Sequence, residues 1–258
     1  YKMKEKQILK KLKDDQEYYN GVGKNYLSNS NIQALTTDPR QFQAPQKDGE
    51  AFVKGRFYHQ LILEKNKAKD FPIVEANSRS TKVYKEFVDE NNLDYALLTK
   101  DADSIKDMVK HTLSNLKFFE LINDPTAQYE VPAISNDIMG VPWKGKADIL
   151  VPGKYVIDLK TSGDVLSFSR NALKYNYHTQ AYLYQILFKL PVIFIVIGKT
   201  KKIDKKGVEY YDKGLFQISP EAMGMAEEKV GQAVASYNKW FAPDSKDSIE
   251  DYIINMNI

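Results

Sequence analysis

The segment KGKADILVPGKYVIDLKTSG, Lys144 to Gly163, limits the folding of this chain more than any other. It holds two apolar runs, each broken by one carboxylate. Asp148 lies between Ala147 and Ile149, and Asp158 between Ile157 and Leu159. Pro152 and Gly153 punctuate the runs, so the segment reads as a β-hairpin. Burying an unpaired carboxylate is costly, and each acid therefore needs a cation or hydrogen-bond donors. Alternate residues of a strand share a face, which sets Asp158 beside Lys160 and puts Tyr155, Ile157 and Leu159 on the other side. For Asp148 to stand across from Asp158, Val151 must pair with Tyr155, leaving Pro152, Gly153 and Lys154 as a three-residue loop. A two-residue turn would place Asp148 with Ile157 and flip it away.

Two carboxylates aimed at one point suit a hard cation such as Mg²⁺ or Mn²⁺, with open positions for water and phosphate oxygens. Lys160 beside them could hold a phosphate, or help position and deprotonate an attacking water. Spacing alone leaves other readings open. The same residues can make a structural ion pair, and two acids can serve a glycosidase, although that leaves the lysine without a role.

The remaining chain supplies the surroundings. Periodicity and capping signals predict helices over residues 3–19, from Ser28 or Ser30 to Leu35, and over 52–63, 81–90 and 103–122. After Pro125 the pattern changes to strands over 129–134, 143–151 and 155–160, with Asn-Asp, Met-Gly and Pro-Gly as punctuation. Helices over 168–173 and 177–189, strands over 192–197 and 209–218, and a long helix over 221–240 complete the series. The succession predicts one α/β domain over residues 1–258, with a mixed sheet flanked by helices. Its helical N-terminal portion covers about 1–124 and its catalytic sheet about 125–258. There are no cysteines, which excludes disulfides, thiolate metal sites and cysteine nucleophiles. No apolar run approaches a membrane span of about 20 residues. The start lacks a secretory signal, and Tyr1 is not an initiator residue. The net charge of +3 gives only weak support for a polyanionic partner.

Asp148 and, ten positions on, Asp158-Leu159-Lys160-Thr161 resemble the PD-(D/E)xK nuclease signature in the form common to RecB/RecE-like exonucleases. Three more segments, in order, strengthen the likeness. LSNSNIQAL from Leu27 to Leu35, followed by Asp38-Pro39, resembles the N-terminal motif of phage-type exonucleases. GRFYHQLILE from Gly55 to Glu64 resembles their histidine helix, and YHTQAYLY from Tyr177 to Tyr184 the helix after the catalytic strand. The resemblance implies a restriction-endonuclease-like core. It implies a metal held at His59, Asp148, Asp158 and Leu159, with Lys160, Gln180, Tyr184 and Glu130 joining the catalytic site. It further implies Mg²⁺-dependent 5′-to-3′ degradation of linear duplex DNA, with Mn²⁺ able to substitute. A homo-oligomer, a single-strand annealing partner and a phage or prophage setting in a bacterial cytoplasm follow from it too. Without cysteine, the chain departs from the iron–sulfur branches of the superfamily.

Several residues keep two readings. Gly55, one turn before His59, could let another segment come close. Gln180 and Tyr184 share a helix face; Gln180 could donate to a phosphate or hold the lysine, while Tyr182, Leu183 and Ile186 fit a packed face. Tyr177 is a weaker candidate, His111 fits ordinary helix surface, and His178 merely adjoins the glutamine motif. Thr161 and Ser162 could bind phosphate or cap a turn, and Arg170 and Lys174 could face a DNA backbone. Lys199, Lys201, Lys202, Lys205 and Lys206 read as a hairpin connection able to clamp DNA or simply be solvated. The 17 tyrosines show no basic-aromatic pattern that establishes a stacking platform.

Overall fold

Asp14 divides the charged N-terminal stretch. Its carboxylate accepts the Glu17 N–H, so α1 (Glu5–Lys11) ends and α2 (Asp15–Tyr19) begins within the single helix expected over residues 3–19. The computed structural model describes residues 4–45 and 47–254, and the expected start at Met3 lies outside them. The Asn31 side chain accepts the Ser28 N–H at 2.8 Å and fixes the start of α3 (Asn29–Thr37). Next come α4 (Glu50–Leu63), which carries the histidine motif, and α5 (Lys65–Lys69). A short parallel pair, β1 (Ile73–Val74) and β2 (Leu97–Leu98), encloses α6 (Lys82–Glu90); strands this short carry no periodicity to read. The helix expected over 103–122 is two helices, α7 (Thr99–Leu113) and α8 (Leu116–Ile122). Asn115 accepts the Phe118 N–H and starts the second one afresh.

The sheet follows. Its first three strands are β3 (Gln128–Ile138), β4 (Val141–Val151) and β5 (Tyr155–Ser162). Asn136 and Asp137 lie inside β3, and the turn is made by Met139 and Gly140 at φ +56° and +84°. Helices α9 (Phe168–Lys174) and α10 (Tyr177–Phe188) then carry the chain over to β6 (Val192–Gly198). The lysine cluster enters a small hairpin of β7 (Lys202–Ile203) and β8 (Glu209–Tyr210), so the strand expected over 209–218 is divided. Its remainder is β9 (Lys213–Phe216), and α11 (Pro220–Trp240) follows. The order is β3-β4-β5-β6-β9, with β5 and β6 parallel and the other neighbours antiparallel. This is the expected mixed sheet with a helical N-terminal region.

Helices cover both faces. Ile149, Val151, Ile157 and Leu159 pack with Phe57 and Tyr58 of α4, Ile105 and Met108 of α7 and Ile122 of α8. Val156, Phe194 and Val196 pack against Phe168 of α9 and Ala181 and Tyr184 of α10. Both faces of β6 are covered, as its unbroken apolar run requires. Ile186 is exposed, so of the residues expected in the core of α10, Leu183 is buried and Tyr182 partly so.

One irregularity matters for the site. Ala147 belongs to the cluster under α10, whereas Ile149 and Val151 belong to the cluster under α4. Residues two apart should share a face, so β4 turns over between Ala147 and Ile149, at Asp148. On the α10 side, Gly145 admits close packing: a Cβ there would lie 2.8 Å from both Leu187 and Tyr184. Among the described residues no helix is long and apolar enough to cross a membrane.

Candidate active site

Val151 pairs with Tyr155, leaving Pro152, Gly153 and Lys154 as the three-residue loop. Gly153 has φ +71° and the Lys154 N–H donates to the Val151 carbonyl at 3.0 Å, as in a type II turn led by proline. The ladder continues through Leu150 with Val156 and Ile149 with Ile157, then stops. Asp148 and Asp158 occupy the next level, where β4 and β5 part. On the far side, Tyr129 pairs with Ile149 and Val131 with Ala147, which puts Glu130 level with Asp148. Glu130 adopts φ +50° and drops out of the ladder. Register therefore aligns Glu130, Asp148 and Asp158 across three adjacent strands.

The parting between β4 and β5 is bridged through the main chain of Leu159. Its N–H donates to Asp148 Oδ2 at 2.7 Å, and its carbonyl oxygen lies 2.7 Å from His59 Nε2. The same imidazole nitrogen is 3.4 Å from Asp148 Oδ2. His59 reaches this point because α4 packs on the Leu159 face of the sheet. Asp158 and Lys160 share the opposite face, toward α10, as their spacing predicts. Lys160 Nζ lies 2.5 Å from Asp158 Oδ1 and 4.8 Å from the centre of the Tyr177 ring. Gln180 Nε2 donates to Asp158 Oδ2 at 2.5 Å. Asp148 thus departs from the expected arrangement: it bonds in the plane of the sheet instead of joining Asp158 and Lys160 on one face.

The structure places the other candidates as follows. Gln180 holds Asp158, not the lysine. The Tyr184 hydroxyl donates to the Lys146 carbonyl at 2.7 Å, which anchors β4 two residues before Asp148. A Cβ on Gly55 would meet nothing within 4 Å, so among the described residues no segment exploits that gap. Ser162 holds its turn, donating to the Asp164 carbonyl at 2.7 Å. His111 stacks edge-on against Tyr211 at 5.1 Å and is half-buried, unlike an ordinary surface residue. Buried His178 bonds through Nδ1 to the Ala172 carbonyl. In the lysine cluster, Lys201 is paired with Asp107 and Glu209, and Lys202 with Asp212. Sequence reasoning undervalued Tyr177, whose ring stands over the lysine. Glu64, the last residue of the histidine motif, is one of the charges acting on Glu130.

Burial and mutual repulsion disfavour charge on these acids. Burial, then the charge of Asp158, pushes Asp148 up to about 6, despite the opposing pull of His59, Lys160 and the Leu159 N–H. Glu130 is pushed up to about 8, first by burial and then by Asp148 and Glu64. Burial works against the Lys160 ammonium, but Asp158 and Asp148 outweigh it and hold its pKa above the ordinary lysine value.

Among the described residues no three His, Cys, Asp or Glu side chains converge into a ready-made metal cluster. The donors present still fit a divalent cation of the Mg²⁺ or Mn²⁺ type: carboxylates, one imidazole, a peptide carbonyl and no thiolate. Asp158 Oδ1 is buried against the Lys160 ammonium, 2.5 Å away.

The parted acidic hairpin, the lysine two residues on and the parallel β5–β6 pair joined across α9 and α10 define a PD-(D/E)xK-like α/β fold. The chain belongs to the family described as PDDEXK-like domain of unknown function (DUF3799), whose model matches residues 25–247. No curated protein matches its sequence. Among solved structures it is similar to the "Putative exonuclease" of Eubacterium rectale, at 15% identity and a TM-score of 0.59, over 95% of each chain. That likeness bears on the fold. A phage related exonuclease from Haemophilus somnus 129PT is 17% identical over 64% of this chain and 88% of its own, with a TM-score of 0.32.

Proposed function

We propose that this chain is a divalent-cation-dependent deoxyribonuclease of the RecB/RecE-like exonuclease type. Its substrate in this reading is linear duplex DNA, degraded from the 5′ end to leave a 3′ single strand. The observation that carries the reading is the Leu159 main chain, bonded to Asp148 and His59, beside the Lys160–Asp158–Gln180 chain. His59, Asp148, Asp158 and the Leu159 carbonyl would hold Mg²⁺, or Mn²⁺ in its place. Such an ion would supply Lewis acidity toward a phosphate oxygen and acidify a water.

The chain's own groups divide the remaining work. Lys160 stays an ammonium at neutral pH and donates to a non-bridging phosphate oxygen, offsetting charge that builds up during attack. Because it is protonated, water positioning suits it better than water deprotonation. Gln180 fixes the rotamer of Asp158, and Tyr184 fixes the strand that presents Asp148. Glu130 adds a third carboxyl at the Asp148 level. Hydrolysis adds the water oxygen to phosphorus and breaks one P–O ester bond. The departing oxygen leaves as a hydroxyl once it has gained a proton. A homo-oligomer around DNA, an annealing partner and a phage-type setting in a bacterial cytoplasm belong to the same reading and rest on the motif resemblance.

The test is to incubate end-labelled linear duplex, closed circular duplex and single-stranded DNA with the protein, in Mg²⁺ and in chelator. The reading expects Mg²⁺-dependent loss of linear duplex with circles left intact. Cleavage of circles would instead make it an endonuclease of this fold. Binding to ends without cleavage would make it an end-binding module.

A further inference from the structure

The rings of Tyr177 and Tyr175 lead outward from Lys160. Lys160 Nζ sits 4.8 Å from the Tyr177 ring centre, and the Tyr175 ring centre is 6.0 Å further on. Lys174 Nζ stands 5.3 Å from the Tyr175 ring. Tyr177 is rooted in the core: it stacks on Phe168 at 5.4 Å with planes 19° apart, and Phe194 lies 6.0 Å away. Tyr175 is 54% exposed at the end of α9 and has this supported ring behind it.

The backbone between the two rings is held in place. Asn176 adopts the left-handed conformation at φ +59°, uncommon for a residue other than glycine, and is buried. Its Nδ2 donates to Gln33 Oε1 at 3.0 Å, while its carbonyl accepts from Asn29 Nδ2 at 3.1 Å and Thr179 Oγ1 at 2.8 Å. Helices α3 and α10 therefore clamp the reversal that brings Tyr175 to Tyr177. An exposed ring on a rigid mount, with a lysine over one face, loses little entropy on stacking a base against its other, open side and offers a cation to the adjoining phosphate.

We infer that Tyr175, backed by Tyr177 and flanked by Lys174, is a stacking platform for an unpaired nucleobase of the strand whose phosphate reaches Lys160. This deepens the nuclease reading and rests on it for the identity of the strand. The platform has no hydrogen-bonding code for a particular base, so it accepts any of them. Its position sets a requirement on the substrate: the nucleotide next to the scissile phosphate must be out of the duplex stack.

The experiment is fluorescence anisotropy with a labelled oligothymidylate in chelator, where no cleavage occurs. Wild type, Tyr175→Ala and Tyr175→Phe are compared, with thermal melts confirming that each is folded. Tyr175→Ala should weaken binding roughly 5- to 100-fold, the size of one lost base–aromatic stack. Tyr175→Phe should bind within about twofold of wild type, because the ring face is kept. On an abasic oligonucleotide of equal length the three proteins should bind alike. Equal oligothymidylate binding by wild type and Tyr175→Ala overturns the platform, as does an equal Tyr175→Ala defect on the abasic strand. Cleavage of linear duplex by wild type is scored separately. Ring-dependent binding without cleavage retains the platform and removes the nuclease. Cleavage with no dependence of binding on Tyr175 does the reverse.

Discussion

His59 Nε2 lies 2.7 Å from the Leu159 carbonyl oxygen, a contact that joins α4 to β5 across 100 residues of chain. The imidazole must carry a proton on Nε2 to donate there, and must lose it from that nitrogen to ligate a cation. In the proposed reading, the hydrogen bond holds the ring in place for a role in which Nε2 would turn from donor to ligand. His59→Ala should raise the Mg²⁺ concentration for half-maximal activity by about 10- to 100-fold. A Mg²⁺ titration of initial rates checks this, and an unchanged midpoint removes His59 from the metal site.

Gln180 reaches Asp158 Oδ2 at 2.5 Å, a hydrogen bond to an acid already engaged by Lys160. A hydrogen bond to a charged group contributes about 1.5–3 kcal/mol. Gln180→Ala should therefore lower kcat about 10- to 100-fold. Gln180→Glu should lower it further, since it sets a second carboxylate against Asp158. Activity equal to wild type in the glutamate variant would contradict the contact.

Glu130 is half-buried, and desolvation followed by the nearby acids Asp148 and Glu64 pushes it up to about 8 from the ordinary 4.5. Its folded pKa lies above its unfolded one, so the sign is fixed. The stability it allows is fully present below pH of about 4.5 and is lost as pH rises toward and through about 8. In chelator at pH 8.5, Glu130→Gln should melt higher than wild type by roughly 4–8 °C, for a relief of about 2 kcal/mol. The gain should vanish near pH 4. A gain that persists at pH 4 would point to packing instead of charge.

Two glycines give opposite expectations. A Cβ at Gly55 meets nothing within 4 Å, so Gly55→Ala should gain helix propensity and melt about 2–4 °C higher. A Cβ at Gly145 would lie 2.8 Å from Tyr184 and Leu187, so Gly145→Ala must displace α10. Overpacking of that kind costs about 1–3 kcal/mol, and the shift should also loosen the Tyr184 bond to Lys146. Paired melting curves check both signs.

Much of this architecture is legible in the chain because local chemistry decides it. The Val151–Tyr155 pairing is the one the metal-site reading requires of the Pro152-Gly153 turn, whose residues alone also fit a two-residue turn. The apolar run of β6 reads as a doubly covered strand, and His59 and Gln180 stand on the helices their motifs predict. What escaped is set partly by contacts remote in sequence and partly by local capping choices that the residue types leave open. Strict alternation places Asp148 with Asp158 and Lys160, yet β4 turns over at that residue and the two strands part. The breaks at Asp14 and Asn115 are capping bonds that compete with helix continuation, and either residue can also sit inside a helix. Tyr175 and Tyr177 become neighbours only through the left-handed Asn176, which depends on Asn29 and Gln33 some 140 residues earlier.

The most direct measurement is release of label from end-labelled linear duplex by wild type and Asp158→Ala, each in Mg²⁺, Mn²⁺ and chelator. The account predicts release by wild type with either cation, none in chelator, and none by Asp158→Ala under any condition. No release by folded wild type with either cation would contradict it, and so would full activity of Asp158→Ala.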